Sequence, residues 1–247
     1  MAEPVKQGKP LGRKAYGSIG HLPASRMGPG DHACPEGYAR ICCEKPRDKH
    51  DRIIVQEKLD GSCCAVAKVN GEILPLGRAG WLAITSPYEQ HLLFHGWVLT
   101  RWPLFNELLR EGERVVGEWL AQAHGTRYEL CNDPFIPFDL RREDKRLTFA
   151  EFSDRMKHVP LEAPHTLNGA SPDECRGPMS VQDALAAAER VNMHNALDPI
   201  EGVVYRVERE GRVDFLAKYV RPDKVDGSYL PEVSGKEPVW NWRPSDA

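Results

Sequence analysis

The stretch Arg52 to Leu59 (RIIVQEKL) is followed at once by Asp60-Gly61-Ser62 and then by Cys63 to Val69 (CCAVAKV). Both apolar stretches predict β-strands, because short runs of apolar and β-branched residues bounded by a turn signal are typical of strands. Lys58 therefore stands at the end of the first strand, just before a glycine turn. Taken alone, a lysine beside Asp-Gly is more often a solvated hairpin corner than a catalytic site.

Strand and helix signals continue along the rest of the chain. Asn70-Gly71 is a strong hairpin signal, and it leads into a strand over Glu72 to Leu76. Further strands are predicted over 113–120, 135–140, 202–207 and 213–220. Helices are predicted from a capping box at Ser86 to Trp97, over 103–110, from a capping box at Thr148 to about 158, and from Ser180 to about Asn195. A Pro- and Gly-rich loop is expected over 159–179. Strands paired by hairpins, with helices between them, indicate an α+β fold with mainly antiparallel sheets.

The composition limits the classes of protein that remain. The chain has 247 residues, of which 41% are hydrophobic and 28% charged, and its formal net charge is −3. These values are those of an ordinary globular protein, so a nucleic-acid partner would need a local basic groove. No signal peptide and no apolar run of ~18 residues is found, which excludes a membrane partner. Seven cysteines without a CxxC pattern favour a reducing compartment, so we expect a soluble cytoplasmic protein.

Five further segments follow Lys58 in an order that narrows the function. They are Arg78-Ala79-Gly80, Gly117-Glu118, Phe135 to Leu140 (FIPFDL), Glu201 to Val204 (EGVV) and Ala217-Lys218-Tyr219. Together with Lys58 they resemble the covalent nucleotidyltransferase superfamily of ATP-dependent RNA ligases, DNA ligases and mRNA capping enzymes, and most nearly the short RNA ligases. The resemblance covers residues 58–221. It implies a nucleotidyltransferase (adenylation) domain with an ATP-grasp-like ligase core.

The resemblance implies catalytic roles for three residues and a metal contact for a fourth. Lys58 would be the nucleophile that accepts AMP from ATP, and Lys218 resembles the lysine that neutralises the α-phosphate. Glu201 resembles the carboxylate that coordinates Mg²⁺ or Mn²⁺, with Asp60 contributing to the same site. A free lysine has a pKa of about 10.4. We therefore expect the metal and the second lysine to lower the pKa of Lys58 by disfavouring its ammonium form.

The resemblance also implies a nucleotide-binding set. Glu118 resembles the residue that accepts hydrogen bonds from the ribose hydroxyls, and Arg78 would reach the sugar or a phosphate. Phe138 resembles the aromatic side chain that stacks on adenine. Polar contacts near Glu57 would select adenine, and Gly61 completes the turn at the nucleophile.

Two positions depart from the pattern of the relatives. Position 63 is a cysteine where related ligases usually have Asn or Arg, and Val220 stands where many relatives carry a second lysine. Arg221 could supply that charge, but from the opposite face of a strand. Arg26 and Arg40 are two more candidate phosphate contacts.

The sequence predicts an extended N-terminal segment over 1–35, a nucleotidyltransferase domain over 36–230 and a C-terminal tail over 231–247.

The function that fits best is an ATP-dependent RNA ligase, which passes AMP from Lys58 to a 5′-phosphate end and seals that end to a 3′-hydroxyl. The expected partner is thus a nucleic acid with these two ends, RNA rather than DNA. The alternatives are a DNA nick ligase, a guanylyltransferase of the same superfamily, and a degenerate protein that binds nucleotide or RNA ends without sealing them. The short stretch after residue 221 disfavours the first two, because it has no room for their extra β-barrel domain. The oligomeric state stays open.

Overall fold

The computed structural model describes residues 8–169, 174 and 177–244. The strands are β1 (Gly20–His21), β2 (Asp51–Lys58), β3 (Ser62–Val69), β4 (Glu72–Gly77), β5 (Glu113–Trp119), β6 (Phe135–Arg142), β7 (Lys145–Arg146), β8 (Gly202–Arg209) and β9 (Arg212–Val220). The helices are α1 (Tyr38–Cys43), α2 (Glu89–Thr100), α3 (Trp102–Leu108), α4 (Phe149–Met156), α5 (Val181–Val191) and α6 (Pro231–Ser234). Residues 1–7, 170–173, 175–176 and 245–247, which belong to the predicted N-terminal segment, loop and tail, lie outside the described residues.

The strands form two sheets. The first sheet has the order β1-β9-β8-β2, and the second has the order β4-β3-β5-β6-β7. All neighbours pair antiparallel except β1, which runs parallel to β9. The predicted α+β class with mainly antiparallel sheets is confirmed. The chain crosses from the first sheet to the second between Lys58 and Ser62, so the sequence at the crossing fixes how the two sheets meet.

Helices cover one face of each sheet. On the first sheet, Val55 and Tyr205 pack into an apolar cluster with residues of α1 and α5. On the second sheet, Trp119 and Phe135 are fully buried against residues of α2, α3 and α4. Because strand side chains alternate between faces, the residues between these apolar ones point to the opposite face. That alternation sends Lys58 and Glu118 toward the space between the sheets.

Two predicted helix ends differ from the structure. The predicted capping box at Ser86 is wrong: α2 begins at Glu89, and no side chain caps its first residue. The Ser86 hydroxyl lies 2.7 Å from Nδ1 of His91 instead, so a tertiary contact uses the group that the pattern assigned to the helix. The second difference is that α5 ends at Val191 and not near 195, because Asn192 adopts a left-handed conformation (φ 41°) that stops the helix.

The capping box at Thr148 is confirmed. The Glu151 N–H donates to the Thr148 hydroxyl at 3.3 Å, and the Thr148 N–H donates to the Glu151 carboxylate at 2.7 Å. This exchange satisfies two backbone N–H groups that a helix start leaves without partners. Across the part of the chain that the structure describes, no helix is both long and apolar enough to cross a membrane.

The two terminal segments pack onto the sheets. Ala15 and Tyr16 are buried on the second sheet, and β1 adds an edge to the first sheet. Near the C-terminus, the Tyr229 N–H donates to the carbonyl of His124 at 2.7 Å. Both termini therefore contribute to the space between the sheets.

Candidate active site

A cleft of about 1060 Å³ lies where the two sheets meet. Lys58 and Lys218 enter it from the first sheet, and Cys63, Glu118 and Phe138 enter it from the second. Residues of the N-terminal segment, the β4–α2 connection and the C-terminal segment complete its walls. The cleft thus gathers residues as far apart in the sequence as Tyr16 and Val233.

Lys58 and Glu201 form an ion pair inside this cleft. The Nζ atom of Lys58 lies 2.6 Å from Oε2 of Glu201. The pair is set by strand register, because Lys58 on β2 is opposite Gly202, the first residue of β8. A side chain at Gly202 would place its Cβ 1.9 Å from the carbonyl oxygen of Tyr219, so only glycine allows β8 to start at this distance from β9.

The electrostatic surroundings of Lys58 differ from the prediction. Burial opposes the charged form of Lys58, but the carboxylates of Glu201 and Glu118 outweigh it and raise the lysine pKa above its ordinary value. We predicted a lowered pKa from a nearby metal and Lys218. The charged group nearest the Lys58 amine is the Glu201 carboxylate, and Lys218 has an acidic partner of its own. The residues of the chain alone therefore raise this pKa, and a lowering by a bound metal stays a prediction.

That partner is Asp31, from the segment before the first long strand. Its Oδ1 atom lies 3.2 Å from Nζ of Lys218, and its Oδ2 atom lies 3.2 Å from Nε2 of His21. The Nδ1 atom of the buried His21 lies 2.7 Å from the Ser25 hydroxyl. Strand β1 explains the arrangement, since it sets His21 beside Lys218 in the parallel register.

The charge of Asp31 is stabilised by its neighbours. Burial alone would raise the pKa of its carboxyl group, but the Gly28 N–H, Lys218 and His21 lower it to about 2. Asp31 is therefore an anion over the whole neutral range, and it holds Lys218 at the cleft wall. No motif recognised in the sequence contains Asp31.

Asp60 ties the crossing turn to the loop after β5. Its Oδ2 atom accepts hydrogen bonds from the Gly125 N–H at 2.9 Å and the Thr126 hydroxyl at 3.3 Å, and it lies 3.4 Å from Nζ of Lys224. Its own N–H donates to the Tyr128 hydroxyl at 3.0 Å. Sequence reasoning missed the buried Lys224, which lies beyond the last recognised segment.

The donor set fits a divalent cation only together with a nucleotide. Among the described residues, no group of three or more His, Cys, Asp or Glu side chains could hold a metal ion. Glu201 and Asp60 both line the cleft, and Mg²⁺ is commonly bound through one or two carboxylates plus substrate phosphates and water. Glu201 and Asp60 are therefore the candidate carboxylates for this mode of binding.

Three predicted nucleotide contacts lie in the second sheet and the turn after β4. Glu118 is opposite Cys63 in the strand register, and its Oε1 atom accepts a hydrogen bond from the Gly61 N–H at 3.2 Å. The half-buried ring of Phe138 meets that of Tyr16 edge to face at 5.3 Å. The exposed Arg78 lines the cleft and donates to the Gly17 carbonyl at 3.5 Å. These groups form one wall that is polar at the crossing turn and aromatic farther out.

The carboxylate of Glu57 points away from this wall. It accepts a hydrogen bond from the His165 N–H at 2.8 Å and lies 2.9 Å from Nδ1 of His194, on the face of β2 opposite to Lys58. Some atoms of Glu57 still line the cleft. The carboxylate of Glu57 therefore has partners outside the Lys58 face of β2.

The profile of the RNA ligase family matches residues 51–220, more than half of the chain. The chain belongs to the RNA ligase family. The match starts at β2 and ends at the last residue of β9, so it contains Lys58, Glu118, Glu201 and Lys218. It leaves out Asp31 and Lys224, so these two residues of this RNA ligase family member lie outside the matched region.

Solved RNA ligase structures are similar in fold. An archaeal ATP-dependent RNA ligase is 20% identical, with a TM-score of 0.44 over 69% of this chain and 42% of that chain. A Naegleria gruberi RNA ligase with PPi is 19% identical, with a TM-score of 0.46 over 76% of this chain and 53% of that chain. A mutant of the Naegleria ligase with AMP and Mn is 18% identical, with a TM-score of 0.46 over 70% and 50%. This chain spans about half the length of these relatives, or less. No curated protein matches it.

Of the three arginines predicted to contact nucleic acid, one lies in the cleft of this RNA ligase family member. Arg26 lines the cleft and pairs with Asp226. Arg221 pairs with Asp223 at 3.1 Å outside the cleft lining, and Arg40 is exposed on α1, also outside it. Arg26 therefore lines the same cleft as Lys58, whereas Arg40 and Arg221 do not line it.

The two departures from the ligase pattern also lie in the cleft. Burial raises the pKa of the Cys63 thiol, so this side chain is neutral where relatives have a polar or charged one. Val220 is buried, and its N–H donates to the Ser25 hydroxyl at 2.9 Å. Position 220 therefore anchors the N-terminal segment through its main chain.

Proposed function

We propose that this chain is an ATP-dependent RNA ligase that carries AMP on Lys58. The observation that carries the proposal is the placement of the Lys58 amine, 2.6 Å from Glu201, in a cleft that also contains Lys218 and Glu118. A lysine nucleophile, a second ammonium group and carboxylates are the groups that nucleotidyl transfer to an amine requires. Membership in the RNA ligase family supports RNA as the polymer that is joined.

The first step forms a bond between Nζ of Lys58 and the α-phosphorus of ATP. The bond from that phosphorus to the β-phosphate oxygen breaks, pyrophosphate leaves, and two protons leave the lysine nitrogen in all. Lys218 would neutralise charge on the α-phosphate, since an ammonium group aimed at developing negative charge lowers the barrier. Lys58 starts as an ammonium held by Glu201, so this pair must separate before the attack.

Two further steps use the activated AMP. An oxygen of a 5′-phosphate end displaces Lys58 from the phosphorus, and the two phosphates become linked. The 3′-hydroxyl of the second end then attacks the original 5′-phosphate, loses its proton, and releases AMP. AMP is thus transferred twice before the strand ends are joined. In each transfer the protein acts mainly by positioning the reacting groups and by neutralising charge on the phosphates.

We assign the parts of the nucleotide to the cleft wall formed by Glu118, Phe138 and Arg78, and the metal to the carboxylates beside Lys58. We assign adenine to Phe138, the ribose to Glu118 and a sugar or phosphate contact to Arg78. A divalent cation supplies positive charge to the phosphates when bound, and Glu201 would hold it, with Asp60 close by. The Naegleria ligase mutant with AMP and Mn supports this choice of nucleotide and metal. We also propose a cytoplasmic location, because seven cysteines without a CxxC pattern favour a reducing compartment.

Self-labelling tests the proposal. The full chain is incubated with Mg²⁺ or Mn²⁺ and with ATP or GTP labelled in the α-phosphate, and label that stays on the protein after denaturation at neutral pH is measured. We expect label from ATP, none after Lys58→Ala, and unchanged label after the matched change Lys145→Ala at an exposed lysine. Label from GTP alone would instead support a guanylyltransferase. Labelled protein that fails to seal RNA but seals nicked DNA would support a DNA ligase, and a chain that no nucleotide labels would be a binding protein.

A further inference from the structure

We propose that Trp81 and Tyr88, at the mouth of the cleft, stack on unpaired bases of the strand ends that the enzyme joins. The inference rests on the proposed function, because it assigns the substrate contacts of the same site. Trp81 is 49% exposed and Tyr88 is 51% exposed, yet both line the cleft that contains Lys58. Aromatic rings that stay exposed beside a binding site are available for a ligand.

The fold holds the Trp81 backbone in a tight turn. The Gly77 N–H donates to the Trp81 carbonyl at 2.9 Å, and the Gly80 N–H donates to the Gly77 carbonyl at 2.8 Å. Gly80 has a φ of +88°, and a Cβ there would lie 2.1 Å from the Arg13 carbonyl oxygen, so the turn depends on glycine. Trp81 thus stands on a fixed support, and its exposure is not a consequence of a loose loop.

Tyr88 is fixed in a similar way. It is the residue before α2, and its N–H donates to the Ser86 hydroxyl at 3.3 Å. Its ring meets the His91 ring edge to face at 5.8 Å. One edge of the Tyr88 ring is supported by the protein, while half of the side chain stays open to a ligand.

Positive charge accompanies the rings. Nζ of Lys9 lies 5.1 Å from the centre of the Trp81 ring, and Arg78 is exposed in the same turn. Lys14 is exposed in the segment whose next residue, Ala15, donates its N–H to the Arg78 carbonyl. Rings beside cations suit a single strand, because the cations attract the phosphates while the rings stack on bases of any identity. A paired duplex offers no free base face, so we assign the rings to unpaired nucleotides.

The size of the cleft leaves room for such a strand. Pockets for small ligands measure roughly 300–1000 Å³, and this cleft reaches about 1060 Å³. The nucleotide assigned to Phe138 and Glu118 accounts for the inner wall only. At the mouth, Trp81 and Tyr88 are accompanied by Leu230 and by Val233, which is 58% exposed, so the mouth is apolar on the C-terminal side as well.

Binding of a defined strand tests the assignment. The probe is a fluorescent single-stranded RNA with a 5′-phosphate, compared with the same strand carrying abasic residues near that end. We expect Trp81→Ala with Tyr88→Ala to weaken binding of the intact strand by about fivefold to a hundredfold. Trp102→Ala is the matched control, since Trp102 is 42% exposed on α3 and lies outside the cleft lining. It should change binding by less than about twofold. The double change Trp81→Phe with Tyr88→Phe keeps an aromatic ring at each position and should preserve most of the affinity.

The abasic strand shows whether the rings contact bases. It should bind the natural protein more weakly, and the double alanine variant should bind both strands equally. Unchanged affinity in the double variant, an equal loss in Trp102→Ala, or the same abasic penalty with and without the rings would overturn the proposal. A loss of ATP self-labelling in the double variant would also overturn it, because the rings would then serve the nucleotide. If the natural protein fails to label but the rings still control binding, the proposed ligase function fails and the strand site stands.

Discussion

The Oδ1 atom of Asp31 lies 3.2 Å from the Nζ atom of Lys218, and this contact joins a residue before the family region to one of the site lysines inside it. The contact follows from β1, which runs along the edge of β9 and turns back so that the 28–31 loop faces Lys218. The Lys218 ammonium group is therefore held in the cleft by the Asp31 carboxylate. The N-terminal segment therefore contributes a side chain that contacts one of the site lysines.

Asp31→Asn should slow self-labelling by about tenfold. A hydrogen bond to a charged group contributes ~1.5–3 kcal/mol, and the amide would hold Lys218 less firmly than the carboxylate does. The initial rate of label incorporation is measured at several ATP concentrations. Asp154→Asn, at an exposed ion pair on α4, should leave the rate unchanged, and an equal rate in both variants would contradict a positioning role for Asp31.

Lys58 and Glu201 should be coupled in the free energy of unfolding. Removing one partner of a buried pair leaves the other charge without compensation and costs ~3–5 kcal/mol, so Glu201→Ala alone should destabilise the chain by about that amount. Adding Lys58→Met should recover a large part of the loss. Urea unfolding of both single variants and the double variant measures the coupling, and additive losses would show that the 2.6 Å contact does not persist in solution.

The pair between Arg127 and Asp198 should stabilise the chain above about pH 4. The hydrogen bonds from Arg127 are the main reason that the pKa of Asp198 is lowered to about 2. Since the unfolded carboxyl group has a pKa of about 3.9, the stabilisation is fully present above that value and is lost as the pH falls through 2. Asp198→Asn should cost about 1 kcal/mol at pH 7, after allowance for solvent screening of this partly exposed pair. The difference from the natural chain should shrink in acid, and a difference that grows there would reverse the assignment.

Gly61→Ala should disrupt the crossing between the sheets. A Cβ at Gly61 would lie 2.5 Å from the Trp119 carbonyl oxygen, so β3 and β5 would have to move apart at Glu118. We expect a loss of stability of ~1–3 kcal/mol together with a large loss of self-labelling. Gly96→Ala is the control, because a Cβ there meets nothing within 4 Å in α2. It should be neutral or stabilising by up to ~1 kcal/mol, and equal effects of the two changes on thermal unfolding would contradict the packing argument.

The sequence predicted the parts of the fold that depend on local patterns. Short runs of apolar and β-branched residues located β2, β3, β5 and β8, and the Thr148 capping box located α4, because these signals arise within a few positions. The order of the ligase-like segments predicted the residues that the cleft now brings together. The strands and the helix start rest on patterns that neighbouring residues carry, and the roles of the site residues stay predictions.

The failures concern contacts between distant residues. Asp31 and Lys218 are 187 positions apart, and no local pattern links an aspartate in a Gly- and Pro-rich segment to a lysine in the last strand. Lys224 and Asp60 are joined in the same long-range way. The Ser86 cap failed because His91 competes for its hydroxyl group, and the sequence did not predict that Glu201 would lie 2.6 Å from the Lys58 amine and raise its pKa.

The central claim is that Lys58 carries AMP, and locating the modified residue tests it most directly. The protein is incubated with Mg²⁺ and ATP, digested with a protease, and the AMP-bearing peptide is fragmented by mass spectrometry. We predict AMP on Lys58 alone, and release of this AMP when pyrophosphate is added. AMP on Lys218, on Lys224 or on any residue other than Lys58 would contradict the account.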